Sequence, residues 1–197
     1  MTLDRGHLCR YGRPAMPSSP ELIALVRDKA YLRLDEPIQL ASGAMSNDFV
    51  DVKRGLAQGR DLATVCRAMV AAADERGIEF DAVGGLTMGA DQFAHGIAVV
   101  ADKQWFVIRK EPKGRGTNKL VEGAPLGAGT RVLLVEDAVT TGGSALKALA
   151  AVRAEGAEVV LAMTVIDRGD QAAPAFAAEG VPYATLVTYQ DLGIEPV

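Results

Sequence analysis

The sequence predicts an open α/β fold, a parallel sheet flanked by helices. Short, largely apolar runs recur through the chain: D-A-V-G-G-L (81–86), W-F-V-I-R (105–109), R-V-L-L-V-E (131–136), E-V-V-L-A-M-T-V-I (158–166) and Y-A-T-L-V-T-Y (183–189). Strands covered on both faces read as such unbroken runs, whereas half-exposed strands alternate. Segments of helical spacing lie between the runs, so strand and helix alternate, and right-handed crossovers then give a parallel sheet. At 197 residues, 49% hydrophobic and 23% charged, the chain is long enough to bury a sizeable core. In this fold class ligands gather beyond the carboxyl ends of the strands.

The elements follow in order. Residues 1–18 hold Gly, Pro, Arg and Ser without an apolar period and are expected to be a mobile extension, with Met16 an alternative start. Ser19 reads as an N-cap with Pro20 at the first helical position, and Leu22, Leu25, Val26, Lys29 and Ala30 share one face. Residues 36–53 read as two short strands about a Ser-Gly turn. A helix over 61–76 places Leu62, Val65, Cys66, Met69, Val70 and Ala73 at i, i+3, i+4 spacing and closes at Arg76-Gly77. Further helices are expected near 90–101, 144–155 and 171–179. Residues 110–124 are polar, with glycines and a proline, and are expected to be a mobile loop.

Bulk properties exclude several functions. A net charge of −4 gives no footprint for nucleic acid or a membrane surface. Cys9 and Cys66 have no paired spacing, so neither a disulfide framework nor a zinc site is indicated. No apolar run reaches membrane-spanning length, which leaves the cytoplasm as the expected location.

The chemistry concentrates in V-L-L-V-E-D-A-V-T-T-G-G-S (132–144). Glu136 and Asp137 sit at the carboxyl end of an expected strand, and Thr140, Thr141, Gly142, Gly143 and Ser144 follow at a helix start. Hydroxyls, close-approach glycines and free amides there suit a phosphate. Two carboxylates repel that phosphate but accept hydrogen bonds from vicinal hydroxyls. A ribose 5-phosphate satisfies both halves. The motif G-x-x-x-x-G-K-[ST] and the motif G-x-G-x-x-G are absent.

This stretch resembles the signature of the type I phosphoribosyltransferases, which bind 5-phosphoribosyl-1-pyrophosphate (PRPP). The loop R-K-E-P-K-G-R-G (109–116) is similar to the R-K-E-x-K-x-H-G loop of orotate phosphoribosyltransferases, and G-G-L-T-M-G-A-D (84–91) and V-I-D-R-G-D (165–170) fit the same family. The likeness runs from roughly Ser19 to Tyr189. It implies one phosphoribosyltransferase domain over 19–197, with a small N-terminal hood and a mobile catalytic loop. It also implies transfer of the phosphoribosyl group from PRPP to orotate, giving orotidine 5′-phosphate and pyrophosphate in pyrimidine biosynthesis.

By the resemblance, Glu136 and Asp137 hold the ribose hydroxyls, and Ala138, Val139, Thr140, Thr141, Gly142, Gly143 and Ser144 complete the PRPP site. Arg109, Lys110, Lys113 and Arg115 meet the pyrophosphate, Lys113, Arg115 and Asp137 take catalytic roles, and Thr140 and Arg168 contact orotate. Mg²⁺ enters with PRPP through ligand oxygens and water, so no protein metal cage is expected. A homodimer sharing loop 110–124 across its two-fold is implied too. Three positions depart from the family pattern: Arg115 where His is most frequent, Ala41 where many members have Lys, and Met88 where others carry Lys. Arg holds anionic charge but donates no proton at neutral pH. A phosphoribosyltransferase for another base, or a PRPP-binding regulator without turnover, are the alternatives. Among the other candidates, His95 reads as a packing or surface residue in a helix. Asp48, Asp51 and Lys53 read as hood, Phe49 as core, and Asp81 and Asp91 as caps or ligands.

Overall fold

The computed structural model describes residues 19–40, 43–111 and 119–197. Residues 1–18, Ala41, Lys113 and Arg115 lie outside the described residues.

The first unit is a helix and a hairpin. α1 (Pro20–Lys29) follows Ser19, whose backbone is extended and whose side chain makes no capping bond. Leu22 and Val26 are its buried face. β1 (Tyr31–Gln39) pairs antiparallel with β2 (Met45–Val50), with Tyr31 opposite Val50 and Arg33 opposite Asp48. The hairpin therefore starts five residues before the expected 36. It also stops short of Lys53, because the Asp51 carboxylate accepts from the Arg54 amide at 3.1 Å and caps a short helix, α2 (Val52–Gly55).

The main sheet has six strands in the order β5-β4-β3-β6-β7-β8. α3 (Gly59–Asp74) leads to β3 (Ala82–Leu86), α4 (Asp91–Ala101), β4 (Gln104–Ile108) and β5 (Val121–Gly123). Then come β6 (Arg131–Val139), α5 (Gly143–Ala154), β7 (Glu158–Asp167), α6 (Ala172–Ala178), β8 (Tyr183–Thr188) and α7 (Tyr189–Leu192). All neighbours are parallel except β4 and β5.

Two further stretches differ from expectation. The tail of the supposed loop 110–124 is an edge strand: Val121 is buried opposite Ile108, and Gly123, at φ +103, lies where a Cβ would press on Trp105 and Phe106. Tyr189 begins α7 rather than ending a strand, because Thr188 and Asp191 form a reciprocal capping box.

Alternate residues of the central strands serve opposite faces. Leu133, Val135, Leu161, Met163 and Val165 pack with Val26, Val65, Met69, Phe93 and Ile97 from α1, α3 and α4. Val132, Leu134 and Ala162 pack with Leu149, Val152 and Phe176 from α5 and α6. Both faces are covered by packed helices, which is why these strands carry no polar alternation.

The chain builds β4 on one side of β3, then returns to place β6 on the other. The boundary between β3 and β6 is thus the topological switch point, where an open α/β sheet leaves a crevice.

Candidate active site at the switch point

β6 outruns its neighbour. Its pairing with β3 ends at Gly84–Leu134, while its pairing with β7 continues to Val139–Asp167. Glu136 and Asp137 fall in this overhang. They lie within the strand, three and two residues before its end at Val139, rather than at its tip as expected from R-V-L-L-V-E. The hydrogen-bonded ladder to β7 holds their backbone, and the Thr164 hydroxyl donates to the Asp137 carbonyl at 3.2 Å.

The turn after β3 presses onto these acids. A Cβ on Gly89 would collide with Glu136 Oε1 and stand 2.9 Å from Asp137 Oδ1. Thr87 donates to Asp91 Oδ2 at 2.7 Å and Gln92 to the Gly89 carbonyl at 2.9 Å, bracing the turn against α4. Asp91 is thus an internal acceptor of this turn. Met88, on the same turn, is 68% exposed.

Glu136 is only 7% exposed. Burial, and next the charge of Asp137, push its pKa up to about 8. Asp137 has one oxygen, Oδ1, on the Ala138 amide at 2.8 Å and the other, Oδ2, on Lys53 Nζ at 2.6 Å. Burial would lower the Lys53 pKa, but the bond to Asp137 more than offsets it, so the ammonium is reinforced.

After β6 the chain turns through Thr140 and Thr141 into α5. Gly142 is the N-cap residue at φ +80, a conformation that glycine adopts freely, and no side chain caps the helix. Gly143 N–H reaches the Thr141 hydroxyl only at 3.4 Å. Thr141, Gly143 and Ser144 are exposed. First-turn amides and hydroxyls therefore face outward at a twelve-residue helix, a ready anion seat.

Arg168 adjoins this turn. Its amide donates to the Val139 carbonyl at 2.8 Å, and a Cβ on the next residue, Gly169, would stand 3.1 Å from the Thr140 carbonyl. Asp167 orients the corner: it accepts from Gly169 N–H at 3.1 Å and Tyr183 O–H at 2.9 Å. Arg168 is 4% exposed, yet its Nε and Nη2 have no hydrogen-bond partner. Burial pulls its pKa below the ordinary guanidinium value, with Asp48 and Tyr31 opposing. Asp48 is itself buried and accepts from Tyr31 at 2.7 Å and Arg33 at 2.6 Å. Burial would raise its pKa, but those two bonds outweigh it and hold the carboxylate ionised.

The structure thus brings together Glu136, Asp137, Ala138, Val139, the 140–144 turn and Arg168. Arg109 and Lys110 are exposed just beyond β4, beside the β3 turn, since Thr87 N–H donates to the Ile108 carbonyl at 2.9 Å. Two features were missed from sequence: Gly89 as the surface against the acids, and Lys53 as the partner of Asp137. A glycine in a turn just past a strand of this sheet was a usable signal for the first. None marked the second, since the ion pair joins residues 84 apart in the chain. His95 is exposed and edge-on to Trp105, with ring centroids 4.5 Å apart. Asp81 is structural, bonded through both oxygens to Arg131. Among the described residues no group of three or more His, Cys, Asp or Glu is placed to hold a metal ion. Among them, too, no helix is long and apolar enough to cross a membrane.

An α/β protein with acids and an anion seat side by side at its switch point belongs to the class that binds a sugar phosphate there. Comparison narrows that class. A phosphoribosyl transferase domain model matches residues 55–177. The orotate phosphoribosyltransferase of Rhodopirellula baltica is 41% identical over 184 residues, covering 89% of this chain and 94% of that one. The Corynebacterium glutamicum enzyme of the same name is 40% identical over 176 residues, covering 88% and 93%. Among solved structures, Mycobacterium tuberculosis orotate phosphoribosyltransferase in complex with PRPP matches with a TM-score of 0.71 at 37% identity, covering 88% of this chain and 98% of that one. The chain belongs to the phosphoribosyltransferase family, and its curated relatives at this level are orotate phosphoribosyltransferases.

Proposed function

We propose that this protein transfers the 5-phosphoribosyl group from PRPP to orotate, giving orotidine 5′-phosphate and pyrophosphate, a step of pyrimidine biosynthesis. The observation that carries the choice of base is Arg168, whose buried guanidinium has two unpartnered donor atoms and whose backbone adjoins the turn at Val139 and Thr140. A carboxylate on the base meets that fork, whereas a neutral base leaves it unpaired. The names of the relatives support the same reading.

Glu136 and Asp137 take the ribose hydroxyls, with Asp137 holding the sugar as its ring gains positive charge. Ala138 and Val139 lead into the turn, and Thr140, Thr141, Gly142, Gly143 and Ser144 take the 5-phosphate. As the bond from C1 to pyrophosphate breaks, the protein needs no nucleophile: it holds the sugar, positions the base nitrogen and neutralises the leaving anion. Arg109, Lys110, Lys113 and Arg115 serve the last purpose, with Lys113 and Arg115 given the catalytic part. Mg²⁺ is part of the substrate, carried on PRPP oxygens and water, as a hard cation with reluctant dehydration favours.

We place the transferase unit at residues 19–197 and the protein in the cytoplasm. It acts as a homodimer in which segment 110–124 reaches the partner's site. Exposed Trp105 (42%) on β4, the strand that pairs with β5, and exposed Val99 (84%) on α4 support such an interface. Val99→Glu is expected to shift sedimentation toward the monomer; an unchanged assembly refutes the placement.

The test of function is the fall in orotate absorbance with purified protein, PRPP and Mg²⁺. Turnover is the expected result. Stabilisation by PRPP without turnover of orotate overturns the proposal in favour of a PRPP-binding regulator, and turnover of another base alone redirects it.

A further inference from the structure

We propose that Lys53 is a positioning residue for the ribose, acting through Asp137; this rests on the reading that Asp137 binds the sugar hydroxyls. Its Nζ lies 2.6 Å from Asp137 Oδ2, across the gap between α2 and β6. An exposed lysine pair is ordinarily a weak, mobile contact. This one is built differently. α2 is a single turn locked at its base: Asp51 N–H donates to the Ala30 carbonyl at 2.8 Å, and Val52 and Gly55 are buried. Gly55 is pressed so closely on Ala30 that a Cβ there would sit 2.6 Å from the Ala30 Cβ. The stem of Lys53 therefore starts from a fixed point, and half of the side chain is covered.

The two oxygens of Asp137 are divided. Oδ1 is tied to the Ala138 amide at 2.8 Å and Oδ2 to Lys53. A carboxylate offers about four lone-pair sites, so each oxygen keeps one for a hydroxyl. A ribose hydroxyl bonded at Oδ2 sits about 2.7 Å away from it, hence within about 5 Å of the ammonium. Lys53 thus fixes the rotamer that receives the sugar and neutralises charge beside Glu136. The turn facing this pair contributes Met88 and no cation.

The test compares Lys53→Met, Lys53→Arg and Asp137→Asn in steady-state rates with PRPP, orotate and Mg²⁺. Lys53→Met is expected to raise the KM for PRPP about tenfold, as loss of a charge-assisted bond predicts. KM for orotate stays within about twofold of wild type, and the melting temperature without ligand falls by no more than about 3 °C, as for an exposed pair. Lys53→Arg restores the PRPP KM to within about threefold by keeping the charge. An unchanged PRPP KM in Lys53→Met, equal losses for both substrates, or no rescue by Arg overturns the proposal. Asp137→Asn separates the two layers. If it weakens PRPP while Lys53→Met does not, only the role of Lys53 fails; if it leaves PRPP untouched, the ribose reading itself fails.

Discussion

Gly89→Ala perturbs the site by one methyl group aimed at both carboxylates. The added Cβ would collide with Glu136 Oε1 and stand 2.9 Å from Asp137 Oδ1, where ordinary contacts begin near 3.4 Å. The braced β3 turn and the paired β6 strand cannot both stay, so the carboxylates shift by roughly 1 Å from where they meet the ribose; a displacement of that size costs on the order of 100-fold in rate. The same figure follows from weakening one hydrogen bond to a charged group, about 1.5–3 kcal/mol. Initial rates at varied PRPP and saturating orotate measure it as kcat/KM, with a melting curve to show that the variant is folded. Gly127→Ala is the control, since nothing lies within 4 Å of a Cβ there and its φ is not positive. A folded Gly89→Ala protein whose kcat/KM for PRPP stays within about threefold of wild type would refute the assignment of the acids to the sugar.

Arg168→Leu is expected to raise the KM for orotate about 10- to 150-fold by removing charge-assisted bonds, while the KM for PRPP changes little. The empty protein should melt at the same temperature or higher, because two unpartnered buried donor atoms disappear. Glu136 gives a pH signature. Its carboxyl is raised in the folded state, so the stability it lends is full below its ordinary pKa near 4.5 and is lost as pH rises through about 8. Glu136→Gln should flatten the fall in stability between those limits, up to about 1.4 kcal/mol per pH unit, and weaken PRPP; parallel pH–stability curves for the two proteins rule this out. Gly142→Ala forces a side chain to φ +80 and should cost about 1–2 kcal/mol, or roughly 2–8 °C in melting temperature. An unshifted melting curve would show that the turn rearranges at no cost.

The fold was legible because both core clusters make the strands largely apolar, and that is a local signal. The candidate site was legible where it is continuous in sequence, over residues 136–144; Arg168 was singled out only by the family resemblance, although it follows β7, the strand paired with β6. Lys53 was hidden for the opposite reason. Only the docking of α2 under α1 aims it at Asp137, and a packing event between distant segments leaves no spacing to read. β5 was hidden because three residues of edge strand carry too little apolar pattern to stand out from a charged surrounding. The Asp191 capping box at Thr188 was present in T-Y-Q-D, but the apolar run before it masked the turn.

The bare donors of Arg168 also bear on what the site refuses. A base that differs from orotate only by lacking the carboxylate is smaller and is not refused by size. Seated there, however, it would seal two N–H-bearing atoms away from water without giving them an acceptor. Sites that hold a required polar group in this way reject the analogue lacking it by about 10⁴–10⁵. If Arg168 receives the orotate carboxylate as proposed, discrimination against uracil comes from an unmet need already built into the empty protein.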